Sequence, residues 1–191
     1  MDVYIDIDNT CIDTCGGIKK FLAGKGVRFD PSKVETYGFD GNIGCGKEKV
    51  YACFKEQEMY DLAKVYAGVK TGIKRLKKEG FSVFGYSYFN YSYEMVQNRL
   101  ALMHSLGMKG GVYMTEKPPI KSGYAVFDDC VSVLERWYKE TEAHLFLIDQ
   151  SYNKRENNSP EHPMWNSIIR CKSLKEGVDR LLELGGNRKY A

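Results

Sequence analysis

The fold of this chain is decided near its start, by the stretch Val3-Tyr4-Ile5-Asp6-Ile7-Asp8-Asn9-Thr10. Its first part is short, apolar and rich in β-branched residues, which predicts a buried strand at residues 3–7. The polar residues that follow then lie at the carboxyl end of that strand. Open α/β sheets place their binding sites at this edge, so the stretch predicts a sheet strand and a site together.

Similar strand patterns recur further along the chain, each followed by Ser or Asp. They span residues 81–86, 124–127 and 144–148. Apolar residues at helical spacing fill the intervals, and these helical patterns span residues 69–79, 93–106, 131–138 and 174–184. The alternation predicts an α/β fold, a Rossmann-like parallel sheet with helices on both faces.

The segment at residues 15–67 interrupts the alternation between the first two strands. It is far longer than one crossover helix requires. Its sequence predicts helices at 18–23 and 48–64, joined by a turn-rich segment at 37–46. We interpret it as a small helical cap inserted after the first strand, with an α/β core formed by residues 1–14 and 68–191.

Carboxylates and a hydroxyl follow the predicted strands. Asp6 and Asp8 are two residues apart where the first strand ends, so one carboxylate can attack a substrate while the other handles protons. Ser87 ends the second strand and Asp128-Asp129 ends the third. Adjacent Asp residues after a buried strand are costly unless a cation neutralises them, and Lys117 is a candidate cation.

The chain carries four short motifs in the order Asp6-x-Asp8, Ser87, Lys117 and Asp128-Asp129. In this order they resemble the motifs of the haloacid dehalogenase superfamily of aspartate-nucleophile phosphatases. Within that superfamily, the chain is most similar to the 5′(3′)-deoxyribonucleotidase family. The likeness implies a hydrolase of phosphate monoesters in which Asp6 forms an aspartyl phosphate and Asp8 acts as acid and base. The segments that carry the likeness are 6–10, 83–87, 114–117, 126–129, 147–153 and 169–174.

The resemblance also implies Mg2+ as the cofactor. Its ligands would be Asp6, the backbone carbonyl of Asp8 and Asp129, with Asp128 either bound through water or placed behind the ligands. Ser87 and Lys117 would bind the phosphoryl oxygens. A nucleoside monophosphate is the implied small-molecule partner, and another small phosphate ester is the alternative.

Two features depart from the deoxyribonucleotidase pattern. Tyr88-Phe89-Asn90 follows Ser87, where the family usually has small residues and Pro. The family's cap holds the base with aromatic residues, but the cap of this chain carries no sharp motif. Its candidates are Phe21, Phe29, Tyr37 and Phe39, although aromatic residues of this kind are more often plain core residues.

Composition excludes several other classes of protein. The net charge of +3 is too small to imply nucleic-acid binding, and the basic run at 73–79 has the spacing of a helix whose lysines face water. No apolar run is long enough to cross a bilayer, and the acidic start differs from a signal peptide, so we expect a cytoplasmic protein without membrane contact. The six scattered cysteines predict reduced thiols. Nothing in the sequence indicates an oligomeric state.

Three other functions are compatible with parts of the sequence. Residues 41–47 match the start of a phosphate-binding P-loop, but Glu48 stands where that motif needs Ser or Thr. Residues 85–89 match only half of a serine-hydrolase nucleophile elbow. A non-catalytic binding protein with this fold is the third alternative. A protein without catalytic activity has no physical reason to keep mutually repelling carboxylates together, so an enzyme is favoured.

Overall fold

A computed structural model describes residues 1–88, 92–113, 123–154 and 161–186 of the chain. Within these residues, six strands form one sheet. They are β1 (Asp2–Asp6), β2 (Ser82–Tyr88), β3 (Lys109–Tyr113), β4 (Ala125–Asp128), β5 (His144–Ile148) and β6 (Ile168–Cys171). The order across the sheet is β3-β2-β1-β4-β5-β6, and every pairing is parallel.

Helices cover both faces of the sheet. The described helices are α1 (Thr14–Gly24), α2 (Lys47–Cys53), α3 (Gln57–Leu62), α4 (Val69–Lys78), α5 (Tyr93–Ser105), α6 (Val131–Glu140) and α7 (Leu174–Gly186). Successive residues of β1 point to opposite faces of the sheet. Val3 and Ile5 pack with α4, α5 and α7 on one face, whereas Tyr4 packs against Trp137 of α6 on the other. The predicted α/β fold is therefore confirmed. None of the described helices is both long and apolar enough to span a bilayer.

Two sequence-based predictions of secondary structure were wrong. The single helix predicted at 48–64 is two helices, α2 and α3, separated by residues 54–56. Cys53 and Met59 are both buried in one cluster, and on one straight helix a separation of six residues would place them on different faces. The strand β3 was missed because Gly110 and Gly111 weaken the strand pattern.

The sheet order places a crevice beside β1. The chain runs from β1 to β2 and β3 on one side and then returns to β4 on the other side, so β1 lies at the switch point of the topology. In such sheets the carboxyl ends of the two strands at the switch point flank the ligand crevice. Asp6 is the last residue of β1 and Asp128 is the last residue of β4, so the fold brings both carboxylates to that crevice.

The insertion at residues 15–67 has its own apolar cluster, and the backbone closes its two ends together. Asp13 N–H donates to the Lys64 carbonyl at 2.8 Å, and Tyr66 N–H donates to the Cys11 carbonyl at 2.9 Å. The buried members of the cluster from within the insertion are Cys15, Ile18, Phe21, Leu22, Phe29, Val34, Phe39, Ile43, Val50, Cys53 and Met59. Tyr152, which follows β5, joins the same cluster and links the insertion to the sheet.

Candidate active site

Three buried carboxylates meet at the carboxyl edge of the sheet. Oxygens of Asp6, Asp128 and Asp129 all lie within 4.8 Å of one another. Burial and the charges of Asp128, Asp129 and Asp8 raise the pKa of Asp6 well above its usual value. Burial also raises the pKa of Asp128 to about 7. So much unbalanced negative charge in a buried space makes this cluster a candidate cation site.

Two tyrosines hold the carboxylates of the β4 end. The Tyr86 hydroxyl donates to Asp128 Oδ2, and the Tyr152 hydroxyl donates to Asp129 Oδ2. Cys130 N–H donates to the other oxygen of Asp128 at 2.7 Å. Sequence reasoning missed both tyrosines. Tyr86 lay inside a predicted strand and Tyr152 inside a segment of the family resemblance, but neither has a motif of its own.

Asp8 is held apart from this cluster by three donors. Thr14 Oγ1 donates to its Oδ1 at 2.7 Å, Ser87 Oγ donates to its Oδ2 at 3.1 Å, and Arg99 Nη2 donates to both oxygens at 3.0 Å. Asn9 takes a left-handed backbone conformation with φ of 54° between Asp8 and the insertion, which Asn tolerates better than most residues. Asp6 and Asp8 therefore present their carboxylates to different partners.

Arg99 is a site residue that the sequence analysis did not find. It lies on α5, on the same face as the buried residues Met95 and Met103, and is 4% exposed. A charged residue on the buried face of a predicted helix is the signal that could have found it, because such a residue needs a partner.

The structure describes Ser87 and the residues of the P-loop match, but not Lys117. Ser87 is buried and contacts Asp8, and Lys117 lies outside the described residues. Described residues 35–46, which include the start of the P-loop match, contain turns, bends and irregular backbone, so the strand that a P-loop follows is missing there. Lys47 of that match pairs with Asp40 at 3.0 Å on the surface.

A cavity of about 320 Å³ opens over the carboxylates, between the sheet edge and the insertion. Its volume falls in the range of small-molecule sites. The aromatic residues lining it are Tyr37, Phe39, Tyr51, Phe54, Tyr60, Tyr86, Tyr88 and Tyr152. The described lining residues include four aspartates and no Lys or Arg.

The structure separates the four aromatic candidates of the insertion. Tyr37 and Phe39 line the cavity, and Phe39 also belongs to the core cluster of the insertion, where Phe21 and Phe29 lie. Phe39 has a φ of 56°, a left-handed conformation that is rare for a bulky residue. Its ring packs against Phe54 and Tyr51 with centroid distances of 5.8 and 5.7 Å. Strained backbone held in place by surrounding packing is frequent at ligand sites.

The carboxylate cluster fits a hard divalent cation. Asp6 Oδ2 is buried and has no hydrogen-bond partner among the described residues, although buried carboxylate oxygens nearly always have one. Mg2+ and similar ions prefer carboxylate and carbonyl oxygens, which is the donor set present here. A cation among Asp6, Asp128 and Asp129 would satisfy the orphaned oxygen and offset the mutual repulsion.

Metal-free protein is expected to lose stability as the pH rises from about 5 to 7. Because the pKa values of Asp6, Asp128 and Asp129 are raised in the folded state, that state holds more protons than the unfolded chain over this range. The free energy of unfolding then falls with pH. Thermal unfolding in EDTA across this range measures the slope, which added Mg2+ should reduce. Asp128→Asn should flatten it, and an equal slope in that variant would contradict the assignment.

Comparisons with known proteins give matches in structure alone. No family model matches the sequence, and no curated protein matches it. Two D,D-heptose 1,7-bisphosphate phosphatases have similar structures, both at 11% identity. The one from Burkholderia thailandensis has a TM-score of 0.54 with 95% of this chain and 97% of the other covered. The one from B. bronchiseptica, complexed with magnesium and phosphate, has a TM-score of 0.58 with 95% and 98% covered.

A third similar structure is a protein from Thermotoga maritima described as a beta-phosphoglucomutase. It is 12% identical, with a TM-score of 0.58, and covers 95% of this chain and 98% of its own. At these identities the likeness concerns the fold. The chain thus has the fold of phosphatases and a phosphomutase over nearly its whole length, in agreement with the fold that the haloacid dehalogenase resemblance implies.

Proposed function

We propose that the protein is a Mg2+-dependent hydrolase of phosphate monoesters that acts through an aspartyl phosphate on Asp6. One observation carries the proposal. Asp6 presents a buried, unpartnered carboxylate oxygen within a cluster of acids, at the sheet's switch point and on the wall of a substrate-sized cavity. Magnesium bound to a phosphatase of the same fold supports the choice of metal.

The residues would divide the chemistry between them. Asp6 attacks phosphorus, a bond forms between its oxygen and the phosphoryl group, and the bond to the leaving oxygen breaks. Asp8 gives a proton to that oxygen and later takes one from the water that hydrolyses the aspartyl phosphate. Bound Mg2+ supplies positive charge that neutralises the carboxylates and the phosphoryl oxygens.

The proposed ligands of Mg2+ are Asp6, Asp129 and the backbone carbonyl of Asp8, with Asp128 bound through water or placed behind them. The hydrogen bonds from Tyr86 and Tyr152 would keep Asp128 and Asp129 oriented toward the ion. For phosphate binding we propose Ser87 and Lys117. Ser87 would have to share its hydroxyl between the phosphate and Asp8, to which it donates here.

We propose a nucleoside monophosphate as the substrate, as in a 5′(3′)-deoxyribonucleotidase. The insertion would act as a cap, and its rings at Tyr37, Phe39 and Tyr51 offer flat apolar surface for a base. A second phosphate group, as in a sugar bisphosphate, would meet no Lys or Arg among the described residues of the cavity. The described part of the cavity therefore favours a neutral, flat leaving group over a charged one.

A panel of phosphate esters tests this proposal. Ribo- and deoxyribonucleoside monophosphates, sugar monophosphates and a sugar bisphosphate are compared by kcat/KM, each with Mg2+ and with excess EDTA. We expect deoxyribonucleoside monophosphates to rank highest, and EDTA to abolish phosphate release in every case. Preference for a sugar phosphate would disprove the nucleotidase assignment, and full activity in EDTA would remove the metal from the mechanism. Phosphate release from no ester would favour a binding protein.

A further inference from the structure

Arg99 lies on α5, outside every segment of the family resemblance, yet its guanidinium reaches the candidate site. Its Nη2 donates to both oxygens of Asp8 at 3.0 Å, and its Cζ lies 4.2 Å from the centre of the Tyr60 ring on α3. Arg99 thus lies between a sheet-edge carboxylate and an aromatic ring of the insertion. Such a contact between a guanidinium and a ring face is favourable, particularly when it is shielded from water.

Stability alone is a weak explanation for this ion pair. Side-chain exposure is 3% for Arg99 and 22% for Asp8, so the arginine loses nearly all its hydration while the aspartate keeps part of its own. Desolvation of a buried ion pair can cancel the attraction between the charges, and apolar replacements of both partners are often neutral or stabilising. A cation buried behind a partly hydrated carboxylate is better explained by what it does to that carboxylate.

The position of Asp8 creates a specific problem. It lies near enough to the acidic cluster for its charge to contribute to the raised pKa values of both Asp6 and Asp129. Asp8 lines the same cavity as Asp6, Asp128 and Asp129, so an unrestrained Asp8 side chain is free to turn toward a cation held by them. Its oxygens would then point at the ion, away from the leaving oxygen and the water with which Asp8 is proposed to exchange protons.

We propose that Arg99 is a positioning residue that holds the Asp8 carboxylate away from the acidic cluster and available for proton transfer. The Tyr60 ring contacts the guanidinium of Arg99 from the side of the insertion. Hydrogen bonds from Thr14 and Ser87 to Asp8 further restrain its carboxylate. The inference rests on the proposed function, because it assigns proton transfer to Asp8.

The leaving group of the substrate provides the first test. An alkyl phosphate needs protonation of its departing oxygen, whereas 4-nitrophenyl phosphate does not. Arg99→Met is expected to lower kcat for the alkyl ester by about 10- to 100-fold and for the aryl ester by only a few fold, with KM little changed. Arg99→Lys and Tyr60→Leu should show the same selectivity with smaller losses, since each keeps part of the arrangement.

A matched control is available on α4, away from the site. Arg75→Met removes the guanidinium of the Arg75–Asp179 pair, which links α4 to α7. It should leave kcat for both esters unchanged. Adding Arg99→Met to an Asp8→Asn background should cause no further loss with the aryl ester, because Arg99 acts through Asp8.

Mg2+ binding without substrate gives a readout independent of turnover. Titration calorimetry should show Mg2+ binding to Arg99→Met as tightly as to the wild type, or more tightly, because the released Asp8 can then reach the ion. Equal losses for both esters together with weaker Mg2+ binding would overturn the inference and leave the phosphatase proposal standing. A wild-type protein inactive on every ester would instead refute the proposed function. If Arg99→Met does not fold, Arg99→Lys and Tyr60→Leu decide by the same selectivity.

Discussion

Replacing Asp6 with Asn is expected to lower kcat by about 10⁴-fold or more, because it removes the oxygen that we propose attacks phosphorus. Asn has nearly the same volume as Asp, so the packing around the end of β1 should be kept. The substitution also removes one of the mutually repelling carboxylates. Because the pKa of Asp6 is raised by burial and by its acidic neighbours, a neutral side chain should fit the metal-free protein at least as well.

Steady-state kinetics with 4-nitrophenyl phosphate and thermal unfolding in EDTA measure the two effects. Asp2→Asn is a matched control, since Asp2 lies at the opposite end of the same strand. This control should keep full activity. Near-normal turnover by Asp6→Asn would rule out an aspartyl phosphate on this residue, whereas an unfolded Asp6→Asn would show that the carboxylate is needed for the fold.

The carboxylate cluster was predictable because its members are joined to the strongest signals in the sequence. Asp6 and Asp128-Asp129 follow short apolar runs, and such runs in an alternating α/β pattern become neighbouring parallel strands. Once β1 and β4 are adjacent, their carboxyl ends must meet. The sequence thus predicts the position of the acids, although the choice between Asp128 and Asp129 as direct ligand stays a prediction.

The partners of these acids were not predictable in the same way. Arg99 is 91 residues from Asp8 along the chain, and nothing local to either residue indicates that they meet. Tyr86 and Tyr152 looked like ordinary members of apolar segments until the fold placed their hydroxyls at the carboxylates. Long-range polar contacts depend on how helices pack on the sheet, which periodicity does not specify. The role of Lys117 stays a prediction.

The insertion shows where local pattern fails. Its helical content was predicted, but the break between α2 and α3 depends on Cys53 and Met59 reaching the same core. Likewise, the local pattern gives no reason why Tyr37 and Phe39 reach the cavity whereas Phe21 and Phe29 do not. Which aromatic residues line the cavity depends on tertiary packing, and Phe39 contributes to both the core and the cavity.

Excision of residues 15–63, bridged by a short Gly-Ser linker, is expected to abolish the proposed preference for nucleotides while sparing the sheet. All strands of the described residues lie outside this span, and the pairing of Ile12 with Val65 shows that the two cut ends lie close together. Of the described aromatic residues that line the cavity, Tyr86, Tyr88 and Tyr152 would remain.

The truncated protein should still bind Mg2+, because Asp6, Asp128 and Asp129 lie on the strand ends and not in the insertion. It should hydrolyse 4-nitrophenyl phosphate slowly, since that small ester needs few contacts with the insertion. The excision also removes Tyr60, which contacts Arg99 and so supports Asp8, but an aryl ester needs little protonation by Asp8. Loss of the insertion also admits water to the site and removes the aromatic contacts proposed to bind the base. The kcat/KM for nucleoside monophosphates should therefore fall to that for sugar phosphates. Circular dichroism and Mg2+ titration establish that the sheet is folded. If the folded truncation kept the substrate preference of the full chain, the residues that read the leaving group would have to lie in the α/β core.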